Sequence, residues 1–352
     1  MDVRLSPEQE ALRTSAASVV DKLGPRSVPD LDDSARVARL EAAVDESGWR
    51  DLRARGEGGG PVASGVEVAV VAEELGRGLA DVSFLGPTLA ADLRRRAGAS
   101  PAGVTETVLL DPTLSSLCVA MDEQSSEGVA VDAGGAASAL LLLSHTSPED
   151  HVLVSLPICR APVQLDLTRI AAVPEASASI QQLGAGTGAL GDDDLAAWLA
   201  LGLAIGCADL VGVMRGATEL ARAYAGVRRQ YDAPIGAFQA VQHMLADAFV
   251  ALEGSRSVAL HAAWAVDALP AQEALAAAAL AKVYCARSAK SVCETAVQVH
   301  GGIGNTWDCL AHVYLRRALL SSDLFGAEGA NIGRVLANHG IRGGQGDGDG
   351  VR

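Results

Sequence analysis

The run Arg228–Asp247, RRQYDAPIGAFQAVQHMLAD, decides how this chain folds. An apolar stretch ends in Arg228 and Arg229. The segment Asp232-Ala233-Pro234-Ile235-Gly236 then reverses the chain. Gln239 and Gln242 fall in the first turns of the following helical pattern. Arginine presents a planar fork suited to phosphate oxygens, and a helix start offers free N–H groups to anions. Arginine, turn and helix start together suit a pyrophosphate. Taken alone, they suit better a plain helix hairpin with solvated arginines.

A second run, Gln298–Arg317, reads QVHGGIGNTWDCLAHVYLRR. Gly301 and Gly302 permit backbone conformations closed to other residues and let a ligand approach the main chain. A helix C-cap would use the same residues. His300 has no sequence neighbour that would make it a catalytic base and reads as structural.

Outward from these runs, residues 193–340 are helical in pattern. Four long stretches are expected at Asp194–Arg228, Ala237–Ala268, Ala271–Val299 and Asp308–Leu319, with a last helix at Ala327–Asn338. Long helices with short breaks make an antiparallel bundle. Residues 341–352 are polar and glycine-rich and are expected to be a disordered tail. Residues 105–192 differ. Short apolar runs at Thr107–Leu110, Ser116–Ala120, Gly128–Val131, Ala139–Ser144, His151–Leu156 and Ala161–Leu165 alternate with Gly, Asp, Ser and Pro clusters, as short strands do. Residues 1–104 are helical again. Ser6, Pro7 and Gln9 form a start signal, and further helices are expected at Ser34–Ser47, Val66–Arg77 and from Pro87 through Arg96. The expected fold is therefore mainly α with a small β-domain in the middle.

Composition bounds the function. Apolar residues make up 49% of the 352, aromatics 3%, and the net charge is −15. That charge disfavours nucleic acid and anionic membranes as partners. The six cysteines form no CxxC pair, which argues against a zinc or dithiol site. MDVRLSPEQE has no apolar core of a signal peptide, and a cytoplasmic location is expected. Ala196–Val213 is apolar, but Trp198, Gly202, Gly206 and Asp209 interrupt it, which suits a core helix better than a membrane span.

The pattern R-x-Q-[YF]-x-x-P-I-x-x-F-Q followed by Q-x-x-G-G-x-G resembles the acyl-CoA dehydrogenase family. LSPEQEALR near the start and AEELGRGLA at Ala72–Ala80 resemble that family's N-terminal helical domain. The resemblance implies a helical domain over 1–104, a shortened β-domain over 105–192 and a four-helix bundle over 193–340. It implies non-covalent FAD, with Arg228 and Gln239 at the pyrophosphate of a neighbouring subunit and Phe238 beside it. Gln298, Gly301 and Gly302 would line the ADP half.

The departures from the family carry as much weight. The T-E-P-x-A-G-S-D flavin cradle has no counterpart in CVAMDEQSSEGVAVDAGG, Cys118–Gly135. The register of the catalytic glutamate holds Phe325, which cannot remove a proton. The alternative register on the first bundle helix falls near Gly202, again without a carboxylate. Asp323 and Glu328 are the nearest acids, but a two-residue slip displaces a base by roughly 6 Å, more than general-base catalysis tolerates. The resemblance thus implies the base-free subunit of a heteromeric α2β2 acyl-CoA dehydrogenase. A base-containing homologue would be its partner, an acyl-CoA (a sterol side chain among the candidates) its substrate, and an electron-transfer flavoprotein its acceptor. A self-sufficient homomer using another carboxylate and a flavin-free scaffold are the competing readings.

Overall fold

The computed structural model describes residues 4–121, 127–144, 151–183 and 187–341. The expected tail lies outside them except for Ile341, as do residues 122–126 of the stretch compared with the flavin cradle.

Four helices come first: α1 (Pro7–Leu23), α2 (Ser34–Glu46), α3 (Gly65–Arg77) and α4 (Leu85–Arg96). Their starts follow from side-chain chemistry. At α1, Ser6 accepts from the Gln9 N–H and the Gln9 side chain accepts from the Ser6 N–H, so two orphan donors are satisfied reciprocally. Ser64 and Glu67 do the same for α3. The α4 start is capped from the β-region, where the Asp132 carboxylate accepts from the Phe84 and Leu85 N–H groups at 2.7 and 2.8 Å.

Eight strands follow: β1 (Glu106–Leu110), β2 (Val119–Ala120), β3 (Val129–Val131), β4 (Ser138–Ser144), β5 (His151–Arg160), β6 (Ala172–Pro174), β7 (Gln181–Gln182) and β8 (Ala189–Leu190). β4 pairs with both β1 and β5, so β4–β1–β3–β6–β5 closes on itself as a small barrel. The apolar run of β4 is buried on both faces. Leu140 and Leu142 join the main core, while Leu141 and Leu143 join Leu109, Val154 and Leu156 inside the barrel. Period-two alternation assigns successive leucines to two different cores.

Two expectations for this region need correction. Ala161–Leu165 is not a strand but part of an irregular loop, and of Ser116–Ala120 only Val119–Ala120 is regular strand, with Leu117 making an isolated bridge to Leu110. In the loop, Gln164 occupies the main chain instead of a sheet partner: its side chain donates to Ala161 O and Ala171 O and accepts from the Ala171 N–H.

The remainder is helical: α5 (Asp192–Val227), α6 (Gln239–Ala268), α7 (Ala271–His300), α8 (Ala311–Asp323) and α9 (Glu328–Asn338). α8 begins three residues later than expected, because Thr306–Cys309 turn before the helix starts. α5 is the axis of the molecule and packs on α3, α6, α7 and α8. It is apolar enough to cross a membrane, yet 89% of its apolar window is buried inside the protein, as a core helix requires. Gly212 lets α3 approach, since a Cβ there would lie 2.0 Å from Glu73 O.

Candidate functional site

Two parts of the bundle hold the residues singled out in the sequence, and they differ in character. The first is the end where α5 stops, α6 starts and α7 stops. Between α5 and α6, Arg229–Gln230 and Ala233–Pro234 pair as a two-residue hairpin, β9 and β10. Tyr231 and Asp232 turn it with φ of 51° and 62°. Gln239 is the first residue of α6 and Phe238 its cap. Across from them α7 ends at His300, and Gly301 leaves the helix with φ 65°. Tyr224 stacks on His300 with ring centroids 4.5 Å apart, which holds the α5 and α7 ends together. His300 is buried, its Nδ1 2.7 Å from Ala296 O, and it has the structural character expected of it.

The structure therefore brings Arg228, Phe238 and Gln239 to the same end of the bundle as Gln298, Gly301 and Gly302. All six are solvent-exposed. Among the described residues the Arg228 guanidinium has no hydrogen bond or ion pair. A Cβ on Gly301 or Gly302 would meet nothing within 4 Å, so the peptide edges there are open to a ligand. Exposed apolar side chains surround the end: Val227 at 76%, Tyr231 at 91%, Ile303 at 42% and Trp307 at 62%. Tyr231 meets Phe238 edge to face at 6.2 Å. A cleft of about 380 Å³ lined by Tyr224, Val227, His300 and Ile303 runs inward from it. Unpaired cationic donors, open peptides and exposed rings suit an anionic, partly aromatic ligand.

The second part is the loop between α8 and α9, and it is closed. Phe325 is 0% exposed. Its ring lies edge to face with Trp198 at 6.1 Å. It also lies on Gly202, where a Cβ would be 3.0 Å from its Cε1. The two registers from which a base could come, 325 and 202, thus face each other across one space. Phenylalanine fills it and glycine makes room for the ring.

Several polar groups around Phe325 are bound within the protein. Lys282 donates to Ser321 O and Leu324 O, both at 2.6 Å. Arg334 donates to Phe325 O at 2.6 Å and to Ser115 O of the β-region at 2.8 Å. The Gly326 N–H donates to Leu114 O at 3.0 Å, and Asn331 donates to Gly326 O. These bonds tie the Phe325 loop to the turn after β1. Burial lowers Lys282 to a pKa of about 8.

Asp323 and Glu328 do not reach this space. Asp323 is exposed at the end of α8. Glu328 pairs with Arg287 on the surface, a hydrogen bond that lowers its pKa.

Sequence reading missed the polar centre that joins bundle to barrel. Asp209 of α5 is 2% exposed and accepts from Arg317 of α8 at 2.7 Å. It also lies 3.0 Å from Arg169 of the 161–171 loop and accepts from Ser321 at 2.9 Å. Burial alone would raise its pKa, but Arg169 and Arg317 hold it below the usual value. The signal was present: an aspartate inside an apolar core helix requires buried cations as partners.

Residues 200–338 match the sequence profile of the acyl-CoA dehydrogenase C-terminal domain. Acyl-CoA dehydrogenase IpdE2 of Mycolicibacterium smegmatis is 30% identical over 350 residues, covering 95% of this chain and 99% of the relative. IpdE2 of Mycobacterium tuberculosis is 29% identical over 330 residues, covering 90% and 92%. Among solved structures, the ChsE4-ChsE5 complex from Mycobacterium tuberculosis matches with TM-score 0.79 at 23% identity, over 98% of this chain and 100% of that one. The steroid ACAD Tcur3481-Tcur3483 matches with TM-score 0.77 at 22% identity, over 95% and 98%. With a 30% identical relative aligned over nearly the full length of both proteins, the chain belongs to the acyl-CoA dehydrogenase family.

Proposed function

We propose that this chain is the base-free subunit of a heteromeric, FAD-dependent acyl-CoA dehydrogenase. The carrying observation is Phe325, fully buried against Gly202 where a base would have to stand. The chain's part is to complete a cofactor site across an interface. FAD, when bound, accepts the hydride that leaves the β-carbon of an acyl thioester. Arg228 donates to the pyrophosphate, and the start of α6 at Gln239 adds N–H donors to the same anion. Phe238 covers that site from the side. Gln298 and the open peptides of Gly301 and Gly302 line the adenosine half. The exposed rings around this end are covered by the partner, which excludes water from the cofactor. The partner supplies the carboxylate that removes the α-proton.

A sterol side-chain thioester is the substrate class we favour, on the likeness to a steroid ACAD. An electron-transfer flavoprotein is the acceptor that suits such chemistry.

Co-expression with a base-containing homologue, followed by flavin quantitation, tests the reading. The chain alone should purify without flavin, and the complex should carry FAD and oxidise acyl-CoA with an artificial acceptor. Glu328→Gln and Asp323→Asn should leave turnover per flavin unchanged. Stoichiometric FAD on the chain purified alone, or a hundredfold loss of kcat in either variant with FAD retained, would overturn the proposal.

A further inference from the structure

A cleft of about 350 Å³ lies away from both regions, walled by α4, the turn after α2 and the 99–106 segment that leads into β1. The volume lies within the ~300–1,000 Å³ of small-molecule pockets. One wall is a single face of α4: Pro87, Ala90, Ala91, Arg94 and Arg95 recur at helical spacing. The alanines leave the space that larger residues would fill.

The lining is cationic in a chain of net charge −15. Arg50, Arg55, Arg94 and Arg95 face Asp45, Asp51 and Glu106, four positive against three negative. The arginines are not equivalent. Arg50 is bound to Glu41, Asp45 and Ser83 O. Arg94 is bound twice to Glu106 and once to Ser100 O. Both are consumed by the fold. Arg95 bonds through Nη2 to Asp92 at 2.7 Å, and among the described residues its Nη1 makes no hydrogen bond. Among the described residues the exposed Arg55 guanidinium has no hydrogen bond or ion pair. Donor capacity therefore remains on Arg55 and Arg95 beside an apolar wall of Pro87, Ala90, Ala91 and Val104.

We infer that this cleft binds a small amphipathic anion, with a carboxylate or phosphate head between Arg55 and Arg95 and a short apolar body on the alanine face of α4. An arginine fork favours such a head over a neutral polar group. The inference stands apart from the cofactor reading, since no residue is shared with the Arg228 end or the Phe325 loop.

Isothermal titration of the full chain with octanoate, octyl phosphate and 1-octanol tests it. At least one of the two anions should bind below about 1 mM, and whichever binds tighter identifies the head. Octanol should bind at least about tenfold more weakly. Arg55→Ala, at an exposed position with no internal bond to lose, should weaken the anion about tenfold or more. Ala91→Leu should close the wall and abolish binding, with thermal stability showing that each variant is folded. Absence of binding by both anions up to about 10 mM, equal affinity for octanol, or unchanged affinity in Arg55→Ala would overturn the inference.

Discussion

The two ends of the α5–α8 bundle use their polar groups in opposite ways. At the Arg228 end a guanidinium, a helix start and two glycine peptides stand open to solvent, ringed by exposed aromatic and aliphatic side chains. At the Phe325 loop, Lys282, Arg334 and Asn331 bind the carbonyls of Ser321, Leu324, Phe325 and Gly326, and the ring packs on Trp198 and Gly202 of α5. Exposed donors are satisfied by water, so the signal at the open end is the contiguous exposed apolar surface around them. Closed donors around a buried ring contribute to stability and to little else. One end of the bundle is thus left open to solvent, while the space between positions 325 and 202 is packed as core.

Four measurements sharpen or break this contrast. The largest effect belongs to the joint that both halves depend on. Asp209→Ala removes the carboxylate that Arg169 and Arg317 share and leaves Arg317 buried with no ion-pair partner among the described residues, and should cost about 3–5 kcal/mol in denaturant unfolding. A loss under about 1 kcal/mol would mean that the network is not what joins barrel to bundle.

Next comes the filled space. Phe325→Ala should cost roughly 3 kcal/mol through the cavity it opens, and turnover per bound flavin in the complex should not change. Loss of turnover with stability retained would place Phe325 in the chemistry and erase the difference between the two ends.

The third concerns Lys282 beneath that ring. Burial puts its folded pKa near 8, against 10.5 as the ordinary value. Between those values the unfolded chain holds a proton that the folded chain has released. Stability should therefore rise with pH from about 8 to 10.5 relative to a Lys282→Met variant, by up to about 3 kcal/mol. Parallel stability profiles for the two proteins would show that the lysine titrates as if in water, and that the loop is not closed.

The smallest expected effect on the fold is at the open end. Arg228→Ala should move unfolding stability by less than about 0.5 kcal/mol. FAD affinity in the complex should fall by roughly one to two decades, the worth of a charge-assisted pair. Unchanged flavin retention would return Arg228 to the hairpin reading.

Helix positions were legible because their signals are local. Ser6 with Gln9 announces its helix within four residues. The β-region was legible as strands but not as a barrel, because closure depends on β4 pairing with two partners far apart in sequence. The 161–165 run was misread because its apolar residues look like a strand, while Gln164 and the bonds of Arg169 to Asp209 and Ser321 hold it as a loop. For the site, the absence of a carboxylate at 325 and 202 could be read directly. That the two positions pack on each other could not, since the contact joins residues 123 apart in sequence. The seal between Gly326 and Leu114 lies further still from any local pattern.

The placement of the four tryptophans has an optical consequence. Trp49 and Trp198 are buried at 3% and 1%, and Trp264 is half-buried on α6. Trp307 alone is largely in water, on the loop that follows the glycines of the open end. The red edge of the intrinsic emission therefore belongs to one indole at the end where a cofactor or a second subunit would arrive. Detection at that edge turns Trp307 into a built-in optical probe: covering it shifts the emission to the blue, without any label being attached.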